Sequence, residues 1–316
     1  MAFIHGSHHI TLCVGTAQED VDFHTKTLGM RFIKRTVLFD GATAIYHLYY
    51  SNATGDPSSV VTTFPFAQAG LYGTQGTNQA REVLLSVPAG SGEYWQKRLA
   101  EHGIDAVRAD VAGTHRVVFR HPCGLEYSLV EVTGDPREGY TRNGVPAEYA
   151  VHGIYGVGIH VTTPDRTVEF ADTLFFNQAV GEEDGRITLR PGEAQYGNTI
   201  ELIPDTTSDQ GTWHFGAGTI HHTAWNAGTL ENQTEVKFDI EGAGYTDISE
   251  LKDRKYFKSV YVRTPSGALF EIAVTHAEGG WDCDESPEEL GSRFQLPPQF
   301  EDRRDEILDS LEPIEV

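Results

Sequence analysis

Short runs of alternating apolar and polar residues recur along the chain, and each run leads through a polar stretch into a helical pattern. The first run covers residues 8–14, HHITLCV, and similar runs begin near residues 81, 155 and 219. Alternation with a period of two indicates a β-strand, whereas apolar residues three to four positions apart indicate an amphipathic helix. The chain therefore reads as similar segments that repeat about every 70 residues.

Glycines and the apolar spacing set the limits of the predicted helices. The first helix contains Val21 and Leu28, and Gly29 follows it, as expected where a chain leaves a helix in the left-handed conformation. The other helices are predicted at residues 92–102, 166–176 and 230–241, with Gly103 after the second and Gly242 after the fourth.

Two or three alternating runs follow each helix, for example residues 44–50, 114–120 and 259–263. Turn sequences precede the last strand of several segments, as in residues 121–124, HPCG, and 264–267, TPSG. Each segment therefore reads βαβββ. Four such segments predict an α+β fold of two domains, at residues 1–140 and 141–280.

The linker and the C-terminal tail differ from the repeat. Residues 134–147 are polar, contain Gly and Pro and lack periodicity, which predicts the linker between the two domains. Residues 281–316 are rich in proline and acidic residues and read as helical from about residue 300 to residue 311. We expect this tail to pack across a face of the domains.

Composition narrows the classes of function. The chain has 316 residues, a formal charge of -22, and 46 acidic against 24 basic residues. This balance disfavours nucleic acid and anionic membranes as partners. The three cysteines are far apart and form no C-x-x-C motif, and no run is long and apolar enough for a membrane helix. These features predict a soluble cytoplasmic protein and leave homo-oligomerisation open.

Doubled histidines, His8-His9 and His221-His222, stand at the start of the first and fourth segments. Aligning the segment starts places His9 opposite His222, and opposite Gly158 in the third segment. Because consecutive strand residues point to opposite faces, we expect one histidine of each pair to face the cavity and the other to face away. His9 and His222 are therefore the predicted metal ligands.

A carboxylate completes this ligand set. Glu271 lies in the apolar run 269–274, LFEIAV, where an ionised carboxylate is costly to bury without a partner. A metal ion would supply that partner, and two imidazoles with one carboxylate are the ligands of non-haem Fe(II) centres with open coordination positions. Glu201 occupies the same slot in the third segment, where His160 would have to accompany it in a weaker alternative site.

These residues carry a resemblance to a known family. The chain resembles the vicinal oxygen chelate superfamily and, within it, the ring-cleaving dioxygenases that act on hydroquinone and chlorinated hydroquinones. The most specific pieces of the resemblance are residues 8–11 HHIT, 62–65 TTFP, 218–222 GTIHH, 253–257 DRKYF and 261–265 YVRTP. The similarity implies that the four segments form two tandem domains of this superfamily, followed by the helical tail.

The resemblance also implies a ligand set and its surroundings. It implies that His9, His222 and Glu271 hold Fe(II), with Mn(II) as an alternative, between the first and fourth segments. The residues that match the family's neighbouring positions are His8, Thr11, His221, Arg254 and Tyr261. Residues 279–284, GGWDCD, depart from the family's usual pattern, which bears on the shape of the pocket mouth.

From the resemblance we expect a small aromatic diol and O2 as the reactants and a ring-opened semialdehyde acid as the product. His221 suits proton transfer because an imidazole titrates near neutral pH, and His8 would share this role or orient a neighbouring ligand. Arg254 would stabilise developing negative charge. Tyr261 and Thr11 would orient substrate or oxygen through hydrogen bonds.

Other readings of the same pattern are open. One is an extradiol dioxygenase that acts on catechol instead of hydroquinone. Another is a glyoxalase-like isomerase or a thiol transferase, which uses its metal as a Lewis acid without O2. A binding protein built from the same segments is a different class, and it would not need the three ligands to cluster.

Overall fold

The computed structural model describes residues 4–39, 44–175, 178–192, 194–277 and 279–316. Within these residues the predicted βαβββ repeat is confirmed in all four segments. The first segment consists of β1 (Ser7–Val14), α1 (Ala17–Asp22), β2 (Arg31–Phe39), β3 (Ala44–Ser51) and β4 (Val60–Pro65). The second consists of β5 (Gln79–Pro88), α2 (Gly92–Glu101), β6 (Ala106–Val111), β7 (Thr114–Arg120) and β8 (Glu126–Val132).

The second half of the chain repeats this order. The third segment consists of β9 (Gly153–Val161), α3 (Pro164–Phe175), β10 (Gln178–Glu183), β11 (Arg186–Arg190) and β12 (Thr199–Pro204). The fourth consists of β13 (Thr219–Asn226), α4 (Leu230–Gly242), β14 (Lys252–Asp253), β15 (Phe257–Arg263) and β16 (Leu269–Thr275). The tail holds a 3-10 helix at Pro298–Arg303 and α5 (Arg304–Ser310), close to the predicted helix at 300–311.

The helix ends differ from the sequence predictions at a few points. α1 continues into a π-helical turn at Phe23–Thr27, and Gly29 follows with a φ of 70°. Gly242 was expected to cap α4 but lies inside it, and Gly244 takes the left-handed conformation with a φ of 96°. Phe176, the predicted end of the third helix, lies outside the described residues.

The described strands form two curled sheets of eight strands each. The first sheet has the order β14-β15-β16-β13-β1-β4-β3-β2, and the second has the order β10-β11-β12-β9-β5-β8-β7-β6. The first sheet therefore joins the first and fourth segments, and the second sheet joins the second and third. This is the α+β fold class predicted from the sequence. The domain limits at 1–140 and 141–280 stay a prediction, because each sheet contains strands from both halves of the chain.

Opposite faces of the first sheet have different neighbours. Thr63 of β4 donates a hydrogen bond to Asp20 of α1, so this face packs against the helix. Thr62 points to the other face, where its hydroxyl lies 2.8 Å from the hydroxyl of Thr11. The candidate site lies on this second face. No helix among the described residues is long and apolar enough to span a bilayer.

The tail crosses the first sheet. Phe294 forms a parallel bridge with Arg35 of β2. The neighbouring Lys34 is fully buried, and its Nζ atom forms ion pairs with Asp284 and Glu285. A lysine is rarely buried in this way unless carboxylates accompany it. These ion pairs hold residues of the tail against the strands of the first segment.

Candidate metal centre

Two imidazoles and one carboxylate converge on the first sheet. The Nε2 atoms of His9 and His222 lie 3.2 Å apart. The Oε2 atom of Glu271 lies 2.9 Å from His222 Nε2 and 3.9 Å from His9 Nε2. All three side chains are buried. The structure thus brings together the three residues that the sequence predicts as ligands.

Three neighbouring strands position this triad. In the antiparallel pair of β1 and β13, His9 faces Ala224 and Thr11 faces His222. In the parallel pair of β13 and β16, Ala224 faces Glu271. His222 lies two residues before Ala224, and side chains two residues apart on a strand share a face. Residues far apart in the sequence therefore meet on one short stretch of sheet.

A β-bulge lies at the first histidine of each pair. The register between β1 and β13 shifts at two points, which leave His8 and His221 as the extra residues. Bulges redirect side chains, so strict alternation does not hold here. The Nδ1 atom of His8 lies 2.8 Å from His9 Nδ1, and that of His221 lies 2.7 Å from His222 Nδ1. The strict alternation from which opposite orientations were expected is therefore interrupted at these two residues.

The paired contacts fit tautomers in which the candidate ligand atoms carry no proton. His8 Nε2 lies 2.9 Å from the hydroxyl of Thr275, so a His8 that donates there accepts a hydrogen bond at Nδ1 from His9. His9 then carries its proton on Nδ1 and presents the lone pair of Nε2 to the centre. The pairing of His221 with His222 favours the same tautomer. Partners of this kind orient the ligating histidines of metal sites.

Glu271 is oriented through its other oxygen atom. The hydroxyl of Ser259 donates to Oε1. Among the described residues, Oε2 of Glu271 is buried and accepts no hydrogen bond. A buried carboxylate oxygen without a donor is costly, and this one faces two imidazole nitrogens. A cation bound between them would remove that cost.

The donor set fits a divalent transition metal. Ligand atoms that lie about 2.1 Å from one ion at right angles are about 3 Å apart. The three observed separations are 2.9, 3.2 and 3.9 Å. Two histidines and one carboxylate on one side of an ion leave positions open on its other side. The site is therefore suited to a metal that also binds substrate.

Burial keeps the imidazoles of the centre neutral at neutral pH. It lowers the pKa of His8 to about 4. Burial, together with the charge of Arg254, lowers the pKa of His222 to about 3. Burial also lowers the pKa values of His9 and His221 well below the usual histidine value. The neutral imidazole is the form that binds a metal.

The other predicted site residues lie around the same centre. The hydroxyl of Thr11 lies 2.8 Å from His222 Nε2. Arg254 Nε donates to the hydroxyl of Tyr261 at 3.1 Å. The ring centroid of Tyr261 lies 5.8 Å from that of His222. Arg254 itself is exposed, so Tyr261 connects a cation at the surface with the buried imidazoles.

Several residues of the site were missed by the sequence analysis. The ring centroid of Trp281, from the tail, lies 5.3 Å from that of His8 and 5.5 Å from that of Phe257. Phe257 lies 5.0 Å from His9 by the same measure. His47 reaches the centre through hydrogen bonds to other side chains. A strand histidine and a tail tryptophan carry no local signal, because tertiary packing alone brings them to the site.

The register of the second sheet corrects the alignment of the third segment. Glu201 lies beside Gly158 in the same parallel arrangement in which Glu271 lies beside Ala224. Gly158 is therefore the counterpart of Ala224. The sequence alignment that placed Gly158 opposite His222 was wrong by two residues, because a repeat this weak does not fix the register of a strand.

Arginines take the place of a metal on the second sheet, beside a cleft of about 1090 Å³. Arg116 donates to both carboxylate oxygens of Glu201. Arg186 donates to Glu201 at 3.0 Å and to Glu82 at 2.8 Å. His160 Nε2 lies 3.5 Å from Glu82. Since cationic partners already neutralise these carboxylates, the alternative site built on Glu201 and His160 is disfavoured.

Another buried group of histidines and a carboxylate lies behind the first sheet. Asp20 Oδ1 lies 3.2 Å from His24 Nδ1 and 3.3 Å from His121 Nε2, and Tyr50 donates to Oδ2 at 2.6 Å. The backbone N–H of Cys123 donates to His121 Nδ1 at 3.0 Å. The ring proton of neutral His121 is therefore on Nε2, where a metal would need a lone pair. This geometry favours a structural carboxylate over a second metal site.

Asp20→Asn is expected to lower the free energy of unfolding at pH 7 by about 2–4 kcal/mol. Burial raises the pKa of Asp20, but the charge of His24 and hydrogen bonds from His121 and His24 outweigh it and hold the pKa well below its usual value. Ionised Asp20 therefore stabilises the fold above its unfolded pKa, near 4, and this contribution is lost as the pH falls. Urea unfolding from pH 7 to pH 3 should show the gap between wild type and variant narrowing. A constant gap would contradict a role for the charge.

Comparison with known proteins places the chain among ring-cleaving enzymes. It is 36% identical over 311 residues to chlorohydroquinone/hydroquinone 1,2-dioxygenase from Sphingobium indicum, which covers 98% of this chain and 96% of that protein. It is 34% identical to MhqO of Bacillus subtilis, named as a proposed ring-cleaving dioxygenase, over 98% of this chain and 97% of the relative. No protein-family model matches the chain.

Solved structures agree with this placement. The crystal structure of a protein described as a proposed dioxygenase from Bacillus subtilis superposes with a TM-score of 0.91 at 34% identity and covers 100% of this chain and 99% of that one. Glyoxalase I from Zea mays shares the fold at a TM-score of 0.63 and 13% identity, over 85% of this chain and 92% of that one. The fold is that of the vicinal oxygen chelate superfamily, and His9, His222 and Glu271 form a clustered set of candidate metal ligands within it.

The chain belongs to the family of ring-cleaving dioxygenases that includes the hydroquinone 1,2-dioxygenases. It is therefore an oxidoreductase that opens an aromatic ring with O2. The resemblance drawn from the histidine pairs and the later motifs is confirmed.

Proposed function

We propose that this enzyme uses Fe(II) to cleave a hydroquinone, a para-diol, including chlorinated or alkylated rings, to a ring-opened semialdehyde acid. The observation that carries the proposal is the convergence of His9, His222 and Glu271 on the first sheet. The identity of 36% to a chlorohydroquinone/hydroquinone 1,2-dioxygenase supports the para-diol over other rings. Both atoms of O2 enter the product, so the reaction needs no further reductant.

The metal would be held by the Nε2 atoms of His9 and His222 and by Oε2 of Glu271. Fe(II) supplies the one-electron steps that allow O2 to react with an aromatic diol, a reaction that is otherwise spin-forbidden. Mn(II) accepts the same ligand set and is the alternative. The buried rings of Phe257 and Trp281 pack against the ligand side and exclude water from it.

His221 is the residue placed to hydrogen-bond an oxygen atom of the diol. Its Nδ1 atom is engaged with His222, so Nε2 is the ring nitrogen that remains for the substrate. The ring stacks on Phe215 at a centroid separation of 3.5 Å, which fixes its plane. When His222 donates from Nδ1, neutral His221 accepts at its own Nδ1 and carries its ring proton on Nε2, so this N–H would donate a hydrogen bond to an oxygen atom of the diol.

Other side chains bind and orient the diol. Arg254 would stabilise negative charge on a phenolate oxygen of the diol. Its hydrogen bond to Tyr261 would direct the side chain of Tyr261 toward the metal centre. Thr11 would orient an oxygen atom through its hydroxyl. His8 would act through His9, by keeping that ligand in the tautomer with a free Nε2.

Oxygen uptake tests the proposal directly. Metal-free protein reloaded anaerobically with Fe(II) is expected to consume O2 and hydroquinone in equal amounts, and the same should hold for chlorohydroquinone and methylhydroquinone. A parallel sample loaded with Mn(II) identifies the active metal. Catechol is the comparison substrate. Turnover of catechol alone would contradict the para-diol, and a lack of O2 uptake with every diol would contradict a dioxygenase at this centre.

A further inference from the structure

A chain of hydrogen bonds runs through buried side chains to the candidate metal centre. The hydroxyl of Tyr49 lies 3.0 Å from His47 Nδ1, and His47 Nε2 lies 3.0 Å from the hydroxyl of Thr62. The hydroxyl of Thr62 lies 2.8 Å from that of Thr11, which lies 2.8 Å from His222 Nε2. Strands β3, β4 and β1 lie side by side, and Thr62 is paired in register with Tyr49 on one side and with Thr11 on the other. The hydrogen bonds therefore cross from strand to strand.

If the Nε2 atom of His222 carries no proton, one assignment of donors and acceptors satisfies all of these contacts. Burial raises the pKa of Tyr49 well above its usual value, so the phenol stays protonated and in this assignment donates a hydrogen bond to His47 Nδ1. His47 then carries its ring proton on Nε2 and donates to Thr62. The hydroxyl of Thr62 donates a hydrogen bond to the hydroxyl of Thr11. The hydroxyl proton of Thr11 is left to point at the centre.

Packing fixes the ring of His47 in this orientation. Its centroid lies 4.3 Å from the ring of Tyr49 and 4.4 Å from the ring of Phe64. A turned ring would lose these contacts together with the hydrogen bonds at both nitrogens. The strand sequence gave no reason to select His47, because its partners come from neighbouring strands.

We infer that Tyr49, His47 and Thr62 are positioning residues that hold the Thr11 hydroxyl as a hydrogen-bond donor to an oxygen atom at the metal centre. The inference rests on the proposed function for the identity of that oxygen, which belongs to the diol or to O2. A donor that is aimed before the reaction stabilises negative charge without any rearrangement of its own. Simple packing would not require a hydroxyl at Thr62.

NMR of the His47 ring tests the direction of these hydrogen bonds without an activity measurement. In metal-free protein labelled with 15N in its histidines, the signals that vanish in His47→Gln belong to His47. Their nitrogen shifts at pH 7 are expected to show a neutral ring with the proton on Nε2. The Nε2 proton should exchange with water faster in Thr62→Val, where its acceptor is absent. A ring protonated on Nδ1, or unchanged exchange in Thr62→Val, would overturn the inference.

Thr62→Val and Thr62→Ser form a matched pair for activity, because valine keeps the shape of threonine and serine keeps its hydroxyl. With the substrate that the wild type turns over, Thr62→Val is expected to lower kcat by about 10- to 100-fold while KM and metal content stay near wild type. Thr62→Ser should retain kcat within about threefold. Equal kcat in both variants, or equal loss of metal, would contradict the positioning role. A wild type inert towards hydroquinone would refute the proposed function, whereas the NMR result still decides the direction of the chain.

Discussion

Glu271→Gln is expected to abolish stoichiometric metal binding and, with it, the oxygen uptake of the enzyme. The substitution preserves the shape of the side chain but replaces the charged oxygen that faces both imidazoles. The amide would present either a neutral oxygen or an N–H to the same point. Loss of a residue that only supports a ligand costs about 10- to 100-fold in metal affinity, and loss of the anionic ligand itself should exceed that. Metal content per chain after dialysis is the measurement.

Glu201→Gln is the matched control for this experiment. Glu201 occupies the corresponding place on β12, is equally buried, and bonds to Arg116 and Arg186 instead of facing imidazoles. Its substitution should lower stability, because it leaves a buried guanidinium without its anionic partner. Metal content and oxygen uptake should stay at wild-type levels in the folded protein. Equal metal loss in both variants, or full metal content in Glu271→Gln, would contradict the assigned ligand set.

The contrast between Glu271 and Glu201 shows how much of the fold and of the site the sequence repeat could predict. Periodicity alone predicted the βαβββ order, and the strand limits at residues 44–50 and 114–120 were close to the observed ones. Periodicity did not predict which segments share a sheet, because pairing is decided by the core and not by a single strand. Alternation also gave no sign that the first segment would pair with the fourth. That assignment came from the resemblance, and the order of strands in the first sheet agrees with it.

Within the site, the sequence predicted which residues meet but not how they meet. The doubled histidines and Glu271 stand out because two imidazoles and a buried carboxylate at strand positions form a recognisable ligand set. The bulges at His8 and His221 could not be predicted, since a bulge is a relation between two strands. Without the bulges, the first histidine of each pair would point away from its neighbour. The Nδ1 contacts that select the ligand tautomers therefore depend on pairing between β1 and β13.

The tail packs against the candidate metal centre, and no local sequence pattern predicts this contact. Trp281 contacts the histidine pair of β1, and its indole N–H donates to the carbonyl of Gly55 at 2.6 Å. A few residues later, the carboxylates of Asp284 and Glu285 meet the buried Lys34. The departure from the family pattern at residues 279–284 thus falls beside the ligand side of the site. The sequence analysis had connected this segment with the mouth of the pocket.

Lys34→Met is expected to lower the free energy of unfolding by about 3–5 kcal/mol and to loosen the tail. Methionine fills the volume of the lysine stem, but it leaves the buried carboxylate of Glu285 without its cation, while Asp284 keeps its ion pair with Lys255 at 2.6 Å. Urea unfolding measures the loss of stability. Limited proteolysis should detect cleavage within residues 281–316 before the rest of the chain is cut.

Lys26→Met is the matched control, since Lys26 forms a 2.7 Å ion pair with Asp22 in which both side chains are largely exposed. Exposed pairs contribute about 0–1 kcal/mol, so this variant should unfold close to wild type and keep its tail protected. The two ion pairs have nearly the same length and differ in burial. Equal stabilities of the two variants would therefore contradict the view that desolvation makes Lys34 the anchor of the tail. In Lys34→Met, the rate of tail cleavage is to be compared with the access of substrate to the metal. Faster cleavage together with changed access would show that the Lys34 ion pairs act on the candidate metal centre through Trp281.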